Sequence, residues 1–247
     1  MSSDRQVSSK EVKFLLFSTV FAWFVSLTML WPFIILLKLS SRLRKKISNW
    51  NKIFKLKDSE HLREKMFALL SESCPQFACR RLRILELGVK MSNDFKDYSN
   101  QHVIDLAYVD LDKREKLKGI PNNIFLRPEA NILENNPSSS YDVIISTFYL
   151  CSVKNVNSTL ENIRRILKPG GKYAFVEHIG YPENSIVFSL QRLLSPLWEM
   201  FFNGCSLCRH PLTFLKKSSF ATISYRTIYP QKRLPHIRPI TYGVCSK

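Results

Sequence analysis

Hydrophobic and polar positions along the chain predict a helix followed by alternating strands and helices. Over residues 58–73 apolar residues recur at helical spacing, which predicts an amphipathic helix. Short apolar runs follow, and each is bounded by polar or turn-forming residues, as expected for buried strands. The predicted strands cover residues 82–87, 103–109, 124–126, 141–148 and 172–179.

A second helix is predicted between the fourth and fifth strands. Ser158 and Glu161 have the spacing of a capping box, and the apolar residues after them recur at helical spacing. Pro169, Gly170 and Gly171 then end this helix. Strands separated by helices predict an α/β fold, a mostly parallel sheet with helices on both faces. Later segments predict one more apolar helix over residues 186–202 and two more strands over 221–229 and 237–244.

The N-terminal part of the chain predicts a membrane anchor. Residues 14–37 contain no charged side chain, and this run exceeds the roughly 20 apolar residues that cross a bilayer core. We therefore predict an anchor with a basic flank over residues 1–46 and a second domain over 47–247. Pro32 lies within the run, so both a spanning helix and a hairpin that enters without crossing stay open.

The charge of the chain agrees with contact to a membrane. The net charge is +17, which predicts an anionic partner. Five cations in residues 38–46 follow the apolar run and three precede it, so the positive-inside rule places residues 47–247 in the cytoplasm. The same flank can bind anionic lipid headgroups. Elsewhere Lys and Arg are scattered without interleaved aromatic residues, which argues against nucleic acid, and nothing indicates an obligate protein partner.

The six cysteines predict reduced thiols and no metal site. A cytoplasmic domain keeps its thiols reduced. Cys205 and Cys208 have the two-residue gap of a zinc knuckle, and Cys74 and Cys79 form a second close pair. These pairs lie more than 100 residues apart, and no histidine pair accompanies them, which is unlike a structural zinc site. We predict that most of the cysteines, Cys151 included, are small packed side chains.

Several segments, taken in order, resemble one enzyme family. The strand YDVIIS, a helix, the turn KPGG and a further strand resemble the class I S-adenosylmethionine-dependent methyltransferases. The longer series is similar to the methyltransferase-like 7 family, which are membrane-anchored thiol S-methyltransferases of the endoplasmic reticulum and lipid droplets. Its segments are LCSVKN at 150–155, LKPGG at 167–171, EH at 177–178, FNGC at 202–205 and RPITYG at 238–243.

The resemblance implies a Rossmann-like sheet of seven strands, S-adenosylmethionine as cofactor and a small lipophilic thiol as acceptor. It also implies residence in the endoplasmic reticulum membrane and on lipid droplets. Two alternatives stay open from the residues. One is a relative with a degenerate cofactor site, retained as a membrane or lipid-droplet protein without activity. The other is a methyltransferase for a lipid or quinone acceptor.

Four residues are candidates for binding the cofactor before the fourth strand. Glu86 and Gly88 occupy the acidic and first glycine positions of the E-x-G-x-G-x-G motif. Asp110 follows the second strand, where an acid accepts hydrogen bonds from ribose hydroxyls; a surface acid in a turn is the other interpretation. Glu129 is placed near the adenine by the resemblance alone.

The glycine loop departs from the family pattern at two positions. The second and third glycines are replaced by Lys90 and Ser92. Where such a position needs a positive φ, a non-glycine residue costs about 1–2 kcal/mol. This departure is the observation that keeps the degenerate alternative open.

Three further candidates lie where methyl donor and acceptor would meet. Thr147 and Phe148 come at the end of the fourth strand, where the resemblance implies this meeting, and both are candidates for binding the cofactor. His178 follows the fifth strand and is the candidate catalytic base for the acceptor thiol; a structural histidine is the alternative. The apolar run 186–202 is a candidate lid over a lipophilic acceptor that also touches the membrane.

Overall fold

The computed structural model describes residues 61–88, 98, 100–108, 123–128, 132–202, 204–230 and 237–247, together with Ser18, Trp23, Phe24, Trp31 and Pro32. The chain divides into two units, Met1–Trp50 and Asn51–Lys247. The predicted anchor over residues 14–37 lies outside the described residues apart from those last five, which are helical and exposed. In the part of the chain that is described, no helix has the length and hydrophobicity needed to cross a bilayer.

The second unit alternates strands and helices. Residues 61–73 are helical and are named α1. The elements that follow are α2 Gln76–Cys79, β1 Arg83–Leu87, β2 Val103–Tyr108, β3 Ile124–Pro128, α3 Ile132–Asn135, β4 Tyr141–Thr147, α4 Val156–Ile166, β5 Leu167–His178, α5 Ile186–Phe201, α6 Pro211–Lys217, β6 Thr222–Ile228 and β7 Ile240–Ser246.

The strands form one seven-stranded sheet in the order β3-β2-β1-β4-β5-β7-β6. β1 to β5 are parallel, and β7 runs antiparallel to both β5 and β6. This confirms the predicted mostly parallel sheet of class I methyltransferases. The strand order reverses between β1 and β4, so the carboxyl ends of these two neighbours form the switch point, where ligands bind in open α/β sheets.

Helices cover both faces of the sheet, as predicted. Neighbouring residues of β1 enter different cores: Ile84 packs in one with Met66 of α1, and Leu85 packs in the other with Ile163 of α4. Four of the five β1 residues are therefore buried. Burial on both faces explains why the parallel strands appear in the sequence as continuous apolar runs.

Two predicted boundaries are wrong. Asn155, rather than Ser158, caps α4, because the Asn155 side chain accepts a hydrogen bond from the Ser158 backbone N–H at 3.1 Å. The fifth strand begins at Leu167 instead of Lys172, since Leu167 already pairs with Tyr141. The proline and glycines therefore lie within β5, where the register with β4 shifts, and do not form a separate turn.

Candidate functional site

The structure brings four of the predicted site residues to the switch point. β1 and β4 pair with Leu87 opposite Ser146. Gly88 directly follows β1, Thr147 ends β4 and Phe148 comes next. Because carboxyl ends of parallel strands share one edge of the sheet, these residues and Glu86 of β1 border the same crevice.

Gly88 allows the two strand ends to approach closely. Its φ is +75°, in the region that glycine occupies without strain. A Cβ at this position would lie 2.7 Å from the Thr147 carbonyl oxygen and 3.1 Å from Tyr149 Cβ. The first glycine of the motif is therefore required by the fold itself.

Glu86 belongs to a buried polar cluster. Its side chain pairs with the guanidinium of Arg63 and accepts a hydrogen bond from the Tyr98 hydroxyl. Arg63 Nη1 also donates to Thr147 Oγ1 at 3.1 Å, which connects α1, β1 and β4. Burial lowers the pKa of Arg63, but the charges of Glu86 and Tyr98 and the hydrogen bonds to both together outweigh this effect and raise the pKa above its ordinary value. Burial and the nearby Glu86 raise the pKa of Tyr98, so its hydroxyl stays a donor.

Sequence reasoning missed Arg63. It lies on the buried face of α1, three residues before Met66 and four before Phe67, and only 3% of it is exposed. The sequence does contain a signal for Arg63, because it occupies a position that is otherwise apolar in the helical pattern of α1. Arginine is rarely buried without a partner, so such a position indicates a buried ion pair. Its partner became evident only once β1 had been placed beside α1.

Glu177 organises the loop after β4. Its carboxylate accepts hydrogen bonds from the backbone N–H groups of Tyr149, Leu150 and Cys151 at 3.0, 2.9 and 3.2 Å. Burial raises the pKa of Glu177, and these N–H groups partly oppose the shift. The sequence motif pointed to His178 alone, whereas Glu177 is the residue that fixes the loop.

His178 faces two sulfur atoms at the end of β5. Its Nδ1 lies 3.5 Å from Cys205 Sγ and 3.9 Å from Cys151 Sγ, and the two sulfurs are 3.3 Å apart. The His178 ring stacks on Phe148 with centroids 4.2 Å apart, so it borders the switch point. The catalytic role of His178 stays a prediction, and the structure adds that the His178 ring lies beside the switch point.

The thiols of the described cysteines are free. A hydrogen bond with Cys205 and burial raise the pKa of Cys151 to about 12, against the smaller opposing effect of His178. Cys205 belongs to the cluster with His178, but Cys208, its close neighbour in the sequence, does not. The two-residue gap between Cys205 and Cys208 therefore does not identify the residues that cluster with His178.

Several predicted positions lie outside the described residues. They are Lys90, Ser92, Asp110 and Glu129. β2 is described as far as Tyr108, two residues before Asp110. Within β2, Asp105 is held by Arg83, Arg127 and Tyr141 and is 1% exposed, which makes it a structural acid. The ribose role of Asp110 and the adenine role of Glu129 stay predictions.

Comparison with known proteins gives this site its context. A family model described as a methyltransferase domain matches residues 85–173, which include the end of β1 and all of β4. The chain is 34% identical over 176 residues to thiol S-methyltransferase TMT1A of Homo sapiens, across 68% of this chain and 71% of that protein. The chain belongs to the thiol S-methyltransferase family. Membership confirms the family and the enzyme class, an S-adenosylmethionine-dependent methyltransferase, that the sequence predicted.

One further match concerns the family, and another concerns the fold. Thiol S-methyltransferase TMT1B of Rattus norvegicus is 33% identical over 109 residues, which is 44% of this chain and 45% of that protein. Phosphoethanolamine N-methyltransferase 2 of Haemonchus contortus, solved in complex with S-adenosyl-L-methionine, has a TM-score of 0.52 at 14% identity. That alignment covers 74% of this chain and 52% of the other. At such low identity the likeness concerns the fold alone.

Proposed function

We propose that this chain methylates the sulfur of small lipophilic thiols with S-adenosylmethionine at the switch point between β1 and β4. One observation carries the proposal. Gly88 and Thr147 lie against each other beside the paired Arg63 and Glu86, in a chain that is 34% identical to a thiol S-methyltransferase.

The residues at the switch point fit the cofactor. Its amino-acid end carries an ammonium and a carboxylate, and Arg63 and Glu86 offer the complementary pair of charges at the end of β1. Gly88 presents backbone without a side chain, while Asp110 and Glu129 would hold the ribose and the adenine. When bound, S-adenosylmethionine supplies an electrophilic methyl group on a sulfonium sulfur.

The protein's own contribution is to orient the acceptor and to favour its thiolate. A free thiol has a pKa of about 8.5, so a site near neutral pH must assist loss of the proton. His178 is the candidate group, and it lies on the strand next to β4, stacked on Phe148. Holding two reactants in line at contact distance provides much of the remaining rate enhancement.

Membrane association is a second part of the proposal. Trp23, Phe24 and Trp31 are helical and between 49% and 71% exposed, as expected of side chains that contact lipid. They support an anchor over residues 14–37 with its basic flank. We place the chain in the endoplasmic reticulum membrane and on lipid droplets, with residues 47–247 facing the cytoplasm. A lipophilic acceptor concentrates in that environment.

The acceptor class is tested directly with matched probes. The full chain, purified in detergent, is incubated with methyl-labelled S-adenosylmethionine and benzyl mercaptan, benzyl alcohol, benzylamine or a short-chain quinol. We expect label in the methyl thioether only, and less of it from Asp110→Ala. Preferential labelling of the quinol would favour the quinone alternative, and labelling of none of the acceptors would contradict the proposal.

A further inference from the structure

Cys151, His178 and Cys205 form a buried cluster of soft donor atoms, which we name the soft-donor cluster. Two sulfurs and one imidazole nitrogen lie within 4.8 Å of one another. The three residues come from the loop after β4, the end of β5 and the segment after α5. Their exposed fractions are 0%, 8% and 3%.

The separations agree with ligation of one tetrahedral ion. Zinc binds thiolate sulfur at about 2.3 Å and imidazole nitrogen at about 2.0–2.1 Å, which places two sulfurs roughly 3.7 Å apart and sulfur and nitrogen roughly 3.6 Å apart. The observed separations are 3.3 Å between the sulfurs and 3.5 and 3.9 Å from the nitrogen to each sulfur. Shifts of a few tenths of an ångström would bring the three atoms into tetrahedral geometry.

The backbone around the cluster is fixed by hydrogen bonds. The Cys151 N–H donates to the Glu177 carboxylate at 3.2 Å, and the Cys151 carbonyl accepts from the Ser206 N–H at 2.9 Å. The second bond joins the two cysteine-bearing segments directly. Donors held in this way need little reorganisation when an ion binds.

Charge and ligand number favour zinc with one position open. Two thiolates and a neutral imidazole balance the charge of a divalent ion, as a buried site requires. Among the described residues no other histidine, cysteine or carboxylate joins the three. Three protein ligands with a vacant fourth position are typical of catalytic zinc, whereas structural zinc has four protein ligands.

We propose that Cys151, His178 and Cys205 bind one zinc ion and that its fourth position takes the acceptor thiol as a thiolate. The second clause rests on the proposed function. In this step the acceptor S–H bond breaks, a sulfur–zinc bond forms, the proton passes to solvent and no oxidation state changes. His178 is then a metal ligand and not the base. Its contact with Phe148 places the bound sulfur beside the switch point.

The metal is tested by elemental analysis of the full chain, purified in detergent with a phosphine reductant and dialysed against zinc. We expect one zinc per chain in the wild type and loss of the zinc in Cys151→Ser and Cys205→Ser. Cys245→Ser is the matched control, because Cys245 is 0% exposed but packs in the core on the other face of the sheet. It should retain the metal.

Cobalt substitution provides a readout that needs no variant. Cobalt(II) bound to the wild type should show the absorption of a tetrahedral ion with thiolate-to-metal charge transfer. The metal site is overturned if wild type binds neither ion, if Cys151→Ser retains zinc, or if Cys151 and Cys205 form a disulfide in the reduced preparation.

The fourth position is tested on the cobalt protein without S-adenosylmethionine. Benzyl mercaptan should strengthen the charge-transfer absorption, and benzyl alcohol should not. An unchanged spectrum would overturn the acceptor position. A spectral change in a protein that transfers no methyl group would support the metal site while the proposed function fails. Full transfer by metal-free protein would overturn the role of the metal and leave the proposed function in place.

Discussion

At the scale of single residues, the two strand ends at the switch point meet because Gly88 has no side chain. Its positive φ carries a strain cost for any other residue, and its contact with the Thr147 carbonyl carries a steric one. Only Gly88 shows the second effect, because a Cβ on Gly170, which also has a positive φ, would meet nothing within 4 Å, so the two effects can be separated by comparing these glycines.

Gly88→Ala should lower both stability and cofactor affinity. The strain of the positive φ costs about 1–2 kcal/mol. The added Cβ would also lie only 2.7 Å from the Thr147 carbonyl oxygen, so this carbonyl would have to move. Gly170→Ala is the control, since Gly170 has a φ of +72° with nothing within 4 Å of its Cβ. Thermal unfolding and calorimetric titration with S-adenosylmethionine measure both effects. Equal loss of affinity in the two variants would contradict a specific role for Gly88.

Single residues also show how far the sequence leads. Glu86 and Gly88 belong to a local motif, so their neighbours in the chain identify them. The soft-donor cluster has no such local signature, because 27 residues separate Cys151 from His178 and another 27 separate His178 from Cys205. The three residues meet only when β4, β5 and the segment after α5 come together. Spacing rules for zinc compare cysteine and histidine pairs that are close in sequence. Applied to this chain, they gave no metal site and did not bring these three residues together.

At the scale of elements, the existence and order of the strands were predictable, whereas the starts of α4 and β5 were not. Burial on both faces makes the inner parallel strands largely apolar runs, such as residues 143–145 of β4 and 173–176 of β5, which identifies them from sequence alone. Helix α4 begins at Val156 because the Asn155 side chain competes successfully for the cap. Asn155 and Ser158 are both good N-cap residue types, and sequence pattern does not decide between them.

Asn155→Ala should destabilise the chain, and Ser158→Ala should not. Loss of the Asn155 hydrogen bond to the Ser158 N–H costs about 0.5–2 kcal/mol, as for other caps. Ser158 is exposed and lies inside the first turn, so its substitution should change the free energy of unfolding by less than about 0.5 kcal/mol. Denaturant unfolding of both variants measures the two changes in the free energy of unfolding. A larger change for Ser158→Ala than for Asn155→Ala would contradict Asn155 as the cap and favour the capping box at Ser158.

At the scale of the whole molecule, charge and hydrophobicity separate along the chain. The uncharged run comes first, a basic flank follows it, and the methyltransferase fold occupies the rest. This order was readable from the sequence because length and charge need no tertiary information. The choice between a spanning helix and a hairpin depends on residues 14–37 themselves and stays open as a prediction.

The orientation of residues 47–247 can be tested at Cys79, which is exposed. In cells whose plasma membrane alone is permeabilised, a membrane-impermeant maleimide should label the wild type and give less label with Cys79→Ser. Protection of Cys79 until the internal membranes are dissolved would contradict the cytoplasmic orientation. A glycan at Asn157, an exposed residue in the acceptor sequence Asn-Ser-Thr, would contradict it independently.

The central claim is that the switch point binds S-adenosylmethionine although Lys90 and Ser92 replace two glycines of the motif. Calorimetric titration of the full chain with S-adenosylmethionine tests it most directly. We expect one molecule bound per chain, and a roughly 10- to 150-fold weaker affinity in Asp110→Ala, because a hydrogen bond to a carboxylate contributes about 1.5–3 kcal/mol. No binding by wild type together with binding by the Lys90→Gly, Ser92→Gly double variant would show a degenerate site and contradict the account.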